Sequence, residues 1–246
     1  MRYGVMADVH GNRWALDAVL ADASNRGVDR WLNAGDCVYG PLDPASTARR
    51  LRELDAVTVR GNQDRELLAP ARDAGPTRRF IDDALDTADR TWLSTLPTSA
   101  RSGSIFMCHG TPRSDEEPLL EHIGPHGVAL RESETIRDLL GDIEADSQLE
   151  VVVCGHTHVP NTVQLPDGPL VVNPGSVGLP AYTDDAPYPH AMEAGSPHAR
   201  YAILERSADG WTVENRAVPY DWSAAAHVAE SLGRPDWARR LATGRA

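Results

Sequence analysis

Val151-Val152-Val153-Cys154-Gly155-His156-Thr157-His158 is the stretch on which the reading of this chain turns. Four apolar residues bounded by glycine have the length of a short buried strand rather than a helix. The two imidazoles then stand where the strand leaves its sheet, at the carboxyl end, where open α/β sheets place their ligands. A strand end is also rigid enough to fix a metal ligand.

Toward the N-terminus the same arrangement repeats. Tyr3 to Ala7 reads as a strand that delivers Asp8-Val9-His10-Gly11-Asn12 to a turn, and Trp14, Leu16, Ala18, Val19 and Ala23 continue at helical spacing to about Gly27. Arg30 to Ala34 is a second strand, opening into Gly35-Asp36-Cys37, and Asp43-Pro44 starts a helix that runs to about Leu54. Asp55 to Arg60 is a third, leaving Gly61-Asn62-Gln63-Asp64 at its end, and Ile105 to Cys108 runs into His109-Gly110-Thr111-Pro112-Arg113. Between them Thr77 to about Leu96 reads as one helix stopped by Pro97. Residues 114 to 127 read as a surface excursion, and residues 131 to 140 as helix.

Beyond the histidines the chain reads as more β-rich. Pro166-Asp167-Gly168 marks a hairpin turn between residues 162–165 and 170–173, and Asp209-Gly210 marks a second between residues 201–205 and 211–218. Residues 183 to 199 read as an exposed loop, and a C-terminal helix begins at about Trp222. The whole of residues 1–246 reads as one domain.

Composition narrows the function. A net charge of −12 disfavours nonspecific binding to nucleic acid or anionic lipid. No apolar run has the length of a membrane span, and the N-terminus is interrupted by Asp8 too early for a secretion signal, so a cytoplasmic protein is expected. Cys37, Cys108 and Cys154 are odd in number and form no Cys-x-x-Cys pair, which predicts small buried side chains rather than disulfides or thiolate ligands.

Singly, each polar motif has an ordinary explanation: Asp8 as a helix cap, Gly35-Asp36 and Gly61-Asn62 as turns, His109 as an interior histidine. Their ordered occurrence at strand ends, Asp8-x-His10, Gly35-Asp36, Gly61-Asn62-x-Asp64, His109-Gly110 and Gly155-His156-x-His158, resembles the calcineurin-like metallophosphoesterase family. Within it the chain looks most like the small single-domain prokaryotic phosphodiesterases. The resemblance implies an α/β fold of two mixed β-sheets packed as a sandwich flanked by helices, in four layers. It implies two divalent transition-metal ions, manganese first and iron, nickel, cobalt or zinc as alternatives, held by mixed nitrogen and oxygen ligands. One ion would take Asp8, His10, Asp36 and His158, and the other Asp36, Asn62, His109 and His156, with Asp36 as the bridge. The implied reaction is hydrolysis of a small-molecule or nucleotide phosphoester by attack of a metal-bridging hydroxide.

Around this set, Asn12 and Arg113 are expected to touch the substrate, Arg113 through a nonbridging phosphate oxygen, and Asp64 to hold a neighbouring imidazole or amide in place. Many family members carry histidine where this chain has Gln63, which cannot donate a labile proton. That leans the expectation toward phosphodiesters. A phosphomonoesterase, whether protein phosphatase or dinucleoside polyphosphate hydrolase, is the alternative, and a noncatalytic scaffold of the same fold a further one. His122, His126, His190, His198 and His227 lack any such context and are assigned to the surface.

Overall fold

The strands found are short and arrive in order. The structure, a computed structural model, describes residues 1–71, 74–144 and 146–246. Its first half runs β1 (Arg2–Met6), α1 (Arg13–Ser24), β2 (Arg30–Asn33), α2 (Pro44–Arg52), β3 (Ala56–Thr58), α3 (Asn62–Leu68), α4 (Pro76–Ala84), α5 (Thr87–Thr95), β4 (Ser99–Ser102) and β5 (Ile105–Cys108). A hairpin of β6 (Glu121–Gly124) and β7 (Gly127–Leu130) follows, then α6 (Ser133–Leu140) and β8 (Val151–Val153). The remainder is β9 (Asn161–Gln164), β10 (Leu170–Asn173), β11 (Ala181–Asp184), β12 (His190–Glu193), β13 (Ala199–Ser207), β14 (Gly210–Val218), α7 (Trp222–Ser231) and α8 (Pro235–Thr243).

Two five-stranded mixed sheets result, in the orders β14-β13-β1-β2-β3 and β4-β5-β8-β10-β9. β1, β2 and β3 are parallel and β13 pairs antiparallel with β1; in the other sheet β5, β8 and β10 are parallel and β4 and β9 close the edges antiparallel. Alternation along each strand explains the layering. Val5, Leu32, Met107, Val151 and Val153 point into one buried cluster between the sheets, whereas their neighbours Met6 and Trp31 pack outward against α1, and Phe106 and Val152 outward against Ile136 and Leu140 of α6. The run Val151 to Cys154 is continuously apolar because β8 is central and covered on both faces. This is a sandwich of two mixed sheets flanked by helices. Among the described residues no helix is long and apolar enough to cross a membrane.

Several sequence expectations need correction. The helix expected over residues 77–96 is two, because Asp86 accepts from the Asp89 amide at 2.8 Å while Asp89 accepts from the Asp86 amide at 3.3 Å, a reciprocal cap that starts a new helix. The excursion after Ser114 buries Leu119, Leu120 and Glu121 and forms the β6–β7 hairpin. The loop expected over 183–199 contains β12, paired with β11 and anchored by buried Met192. The C-terminal helix is a pair, α7 and α8, broken at Gly233. His190 and His198 are half-buried rather than fully exposed.

Candidate metal centre

The loops that follow β1, β2, β3, β5 and β8 all leave at one edge of the sandwich, and backbone hydrogen bonds tie them to one another. The Asp8 amide donates to Gly35 (2.9 Å), the His10 amide to Asp36 (3.0 Å) and the Gly155 amide to His109 (2.7 Å). Gly61 has to be glycine here, since a Cβ at that position would run into the Asp36 carboxylate. Asp64 accepts from the amides of Cys37 (2.9 Å) and Gly61 (3.1 Å), and so braces the residues beside Asp36 and Asn62 rather than an imidazole. Asn173, which the sequence reading passed over, donates to Gly155 O (2.8 Å) and Thr157 Oγ1 (3.0 Å) and holds the histidine loop from below. Cys37, Cys108 and Cys154 are free and buried.

Two overlapping clusters of potential ligands stand at this edge: Asp8 with His10 and His158, and Asp8 with Asp36 and His109. The carboxylate common to both is Asp8, while Asp36, expected to bridge, belongs to one. His156 and His158 diverge. The His158 ring faces His10 with their Nε2 atoms 3.0 Å apart, and the His156 ring stands edge-on to His109 with centroids 5.3 Å apart. Asn62 Oδ1 lies 3.1 Å from His109 Nε2.

The tautomers decide what these atoms can do. Nδ1 of His10, His109 and His158 lies 2.9, 2.7 and 2.6 Å from the carbonyl oxygens of Tyr39, Ala34 and Leu179, which only accept, so each Nδ1 carries the hydrogen. In the neutral imidazole each Nε2 is then a bare lone pair. Two such lone pairs face each other across 3.0 Å, and Asp8 Oδ1, buried without a hydrogen-bond partner, lies 3.5 Å from one of them. Around His109 Nε2 stand Asn62 Oδ1, Asp36 Oδ2 at 3.6 Å and Asp8 Oδ1 at 4.0 Å, so that three oxygens converge on one nitrogen. Two facing lone pairs beside an unpartnered carboxylate oxygen, in a buried site, need a cation, and imidazole with carboxylate suits a transition metal. The residues present fit the group the family implies.

Burial and mutual charge set the protonation. Burial drives His10 and His156 down to about 3, so both are neutral. Burial opposes the ionisation of Asp8, yet the adjacent His158, His109 and His10 hold it at about 2. Asp36 is pushed up to about 8, chiefly by burial and then by the charges of Asp64 and Asp8, against the pull of His109.

A cleft of about 260 Å³ opens onto the cluster, reached by His10, Asp36, Asn62, Gln63, His156 and His158. Its opposite wall comes from residues that sequence reasoning missed. Tyr182 of β11 packs edge-on over the His158 ring at 4.7 Å, Trp237 of α8 stands edge-on to His10 at 5.9 Å, and Arg240 donates to Thr183 Oγ1 at 3.0 Å. No local pattern marks them, since each meets the site only through tertiary packing. Asn12 is elsewhere: its oxygen caps α1 at the Ala15 amide and its nitrogen donates to Gly178 O and the Tyr220 hydroxyl, leaving nothing for a substrate. Arg113 is exposed and lies in a separate cavity beside His109.

A two-sheet sandwich with acids and imidazoles gathered at one loop edge is a candidate metal-binding site. The chain belongs to the calcineurin-like phosphoesterase superfamily, whose domain profile matches residues 1–192. It is 24% identical to MJ0912 of Methanocaldococcus jannaschii, over 98% of this chain and 97% of that one. Its structure is similar to a metallophosphoesterase from Sphaerobacter thermophilus (TM-score 0.76, 24% identity, 99% of this chain and 100% of that one). It also resembles PH1004 from Pyrococcus horikoshii OT3 (TM-score 0.74, 17% identity, 99% and 98% covered). These likenesses carry the fold.

Proposed function

We propose that the protein is a dinuclear metal-dependent phosphodiesterase and that residues 1–246 act as one domain, α8 supplying a wall to a site built by the family domain. The observation that carries the reading is the pair of facing nitrogens of His10 and His158 beside the unpartnered Asp8 Oδ1, with the oxygens of Asn62 and Asp36 gathered at His109. Asp8, His10 and His158 would hold one ion and Asn62, His109 and His156 the other, with Asp36, which faces the cleft beside both sets, shared between them. When bound, the ions supply Lewis acidity and a nucleophile at neutral pH. Manganese is the first candidate.

The chain's own groups do the rest. The backbone carbonyls of Tyr39, Ala34 and Leu179 hold the imidazoles in the ligating tautomer, and Asp64 fixes the loops that carry Asp36 and Asn62. Gln63 lines the cleft with Oε1 buried and unpartnered, where an imidazole would serve to protonate a leaving group. Its amide orients but donates no labile proton, which favours diesters, whose leaving groups need less help.

The test joins metal analysis with turnover. Asp36→Ala is expected to lose bound metal and activity together, and full metal occupancy with intact turnover would remove Asp36 from the centre. Metal-supplemented wild type is expected to cleave bis-p-nitrophenyl phosphate faster than p-nitrophenyl phosphate. Faster monoester cleavage would turn the assignment to a phosphomonoesterase, and inactivity on both with metal bound would favour a noncatalytic scaffold.

A further inference from the structure

A second cavity, of about 340 Å³, touches the cluster through His109, whereas the cleft meets it through His10, His156 and His158. Three arginines reach this cavity, Arg60, Arg65 and Arg113. Arg65 is already committed: it donates to both oxygens of Asp115 at 2.7 and 3.1 Å and to Glu116 at 2.7 Å. That fork pairs with both carboxylates that line the cavity and leaves one negative charge among the three, against the two positive charges of Arg60 and Arg113.

Arg60 and Arg113 are left over. The Arg60 Nε is buried with no hydrogen-bond partner, although its backbone amide is pinned to Pro97 O at 2.7 Å, directly before Gly61 and Asn62. Arg113 makes no ion pair among the described residues, and its guanidinium lies against Gly141, where any Cβ would collide with it. A shortage of acids does not explain this, because 36 carboxylate residues outnumber 24 basic ones in the sequence. A buried guanidinium nitrogen without a partner is costly unless an acceptor completes it, and the half-buried Arg60 has such a nitrogen. Planar forks beside the hydroxyls of Thr98 and Thr111 suit phosphate.

The anion cannot be the scissile phosphate if that group sits on the ions in the cleft. We propose that Arg60 and Arg113 form a second anion subsite, beside His109, that binds a further phosphate carried by the same substrate. The substrate class then narrows to phosphoesters with an additional phosphate, such as a phosphorylated nucleotide. This inference rests on the hydrolase reading for its orientation only.

Calorimetry of the manganese-loaded protein with adenosine 5′-monophosphate and adenosine 3′,5′-bisphosphate tests it. Wild type is expected to bind the bisphosphate about tenfold or more tighter than the monophosphate, as charged hydrogen bonds imply. Arg60→Gln and Arg113→Gln should each cut that advantage about tenfold while leaving monophosphate affinity as it was. Equal affinities in wild type, or variants that weaken both ligands alike, would overturn the subsite. Arg113 is exposed, so its variant carries the same expectation without risk to folding. Turnover of bis-p-nitrophenyl phosphate, which has no second anion, is followed separately in wild type: its absence would strike the hydrolase reading, and the bisphosphate preference would still decide the subsite.

Discussion

Asp8, His10, Asp36, His156 and His158 share a backbone conformation as well as a site: all have φ between 50° and 72°, and they are five of the six non-glycine residues in that region among the described residues. Left-handed backbone costs a residue with a Cβ roughly 1–2 kcal/mol over glycine. The strain is local to the proposed ligands, since the sixth, Asp167, sits in a hairpin turn. His156→Gly should therefore be more stable than His156→Ala by about 1 kcal/mol in metal-free chemical denaturation, while both bind metal poorly. Equal stabilities would mean the loop relaxes once the imidazole is gone. Protons report on the same residues. Asp36, raised to about 8, keeps a proton in the metal-free fold that the unfolded chain gives up. The stability from the raised Asp36 is present below its ordinary value of 3.8 and is lost as pH climbs through about 8. A cation displaces that proton. Metal binding at pH 7 is thus expected to release about one proton, and metal-induced stabilisation to grow from pH 6 to 8 and level off above. Calorimetry in buffers of different ionisation enthalpy reads the proton directly, and none released would contradict the shift.

α8 carries the largest element-scale surprise. It lies beyond residue 192, where the family profile ends, yet supplies Trp237 and Arg240 to the cleft. The Arg240 side chain is only 16% exposed, with one hydrogen bond to Thr183 and Asp236 at 3.7 Å, which leaves donors turned to the cleft. Arg240→Gln is expected to raise KM for a diester about tenfold with a smaller change in kcat; an unaltered KM would confine Arg240 to holding α8 against β11. Sequence could not foresee this wall, because α8 has ordinary amphipathic spacing and its role comes from where it docks. The strands were more legible. β1, β2, β5 and β8 lie within about two residues of their apolar runs, since a central strand has to be apolar to be covered on both faces. β4, Ser-Ala-Arg-Ser at a sheet edge, has no such pattern and went unread, and the polar hairpin of β11 and β12 was hidden for the same reason. The break between α4 and α5 rests on a single Asp-x-x-Asp, a spacing that fits a helix interior as readily as a cap.

On the scale of the molecule, one sheet contributes Asp8, His10, Asp36 and Asn62 through the loops after β1, β2 and β3, and the other contributes His109, His156 and His158 through those after β5 and β8. The ordered motifs made the site's residues legible because each follows its own strand directly. What stayed hidden was depth: Asn12 carries the same type of side chain as Asn62 and follows β1 beside Asp8 and His10, yet caps α1, and Arg60 reads as the end of a strand although its Nε is buried without a partner. Donation by both sheets has a consequence in time. His10 and His158 are 148 positions apart in the chain, so their Nε2 atoms meet only after the two sheets have docked. A cation has no site to grip in a half-folded chain. Stopped-flow unfolding in manganese should therefore slow in proportion to metal occupancy while the refolding rate stays where it is without metal. A refolding limb that accelerates with manganese would show that part of the cluster assembles before the sheets close. Otherwise the ion acts on how long each native molecule lasts, and not on how quickly it forms.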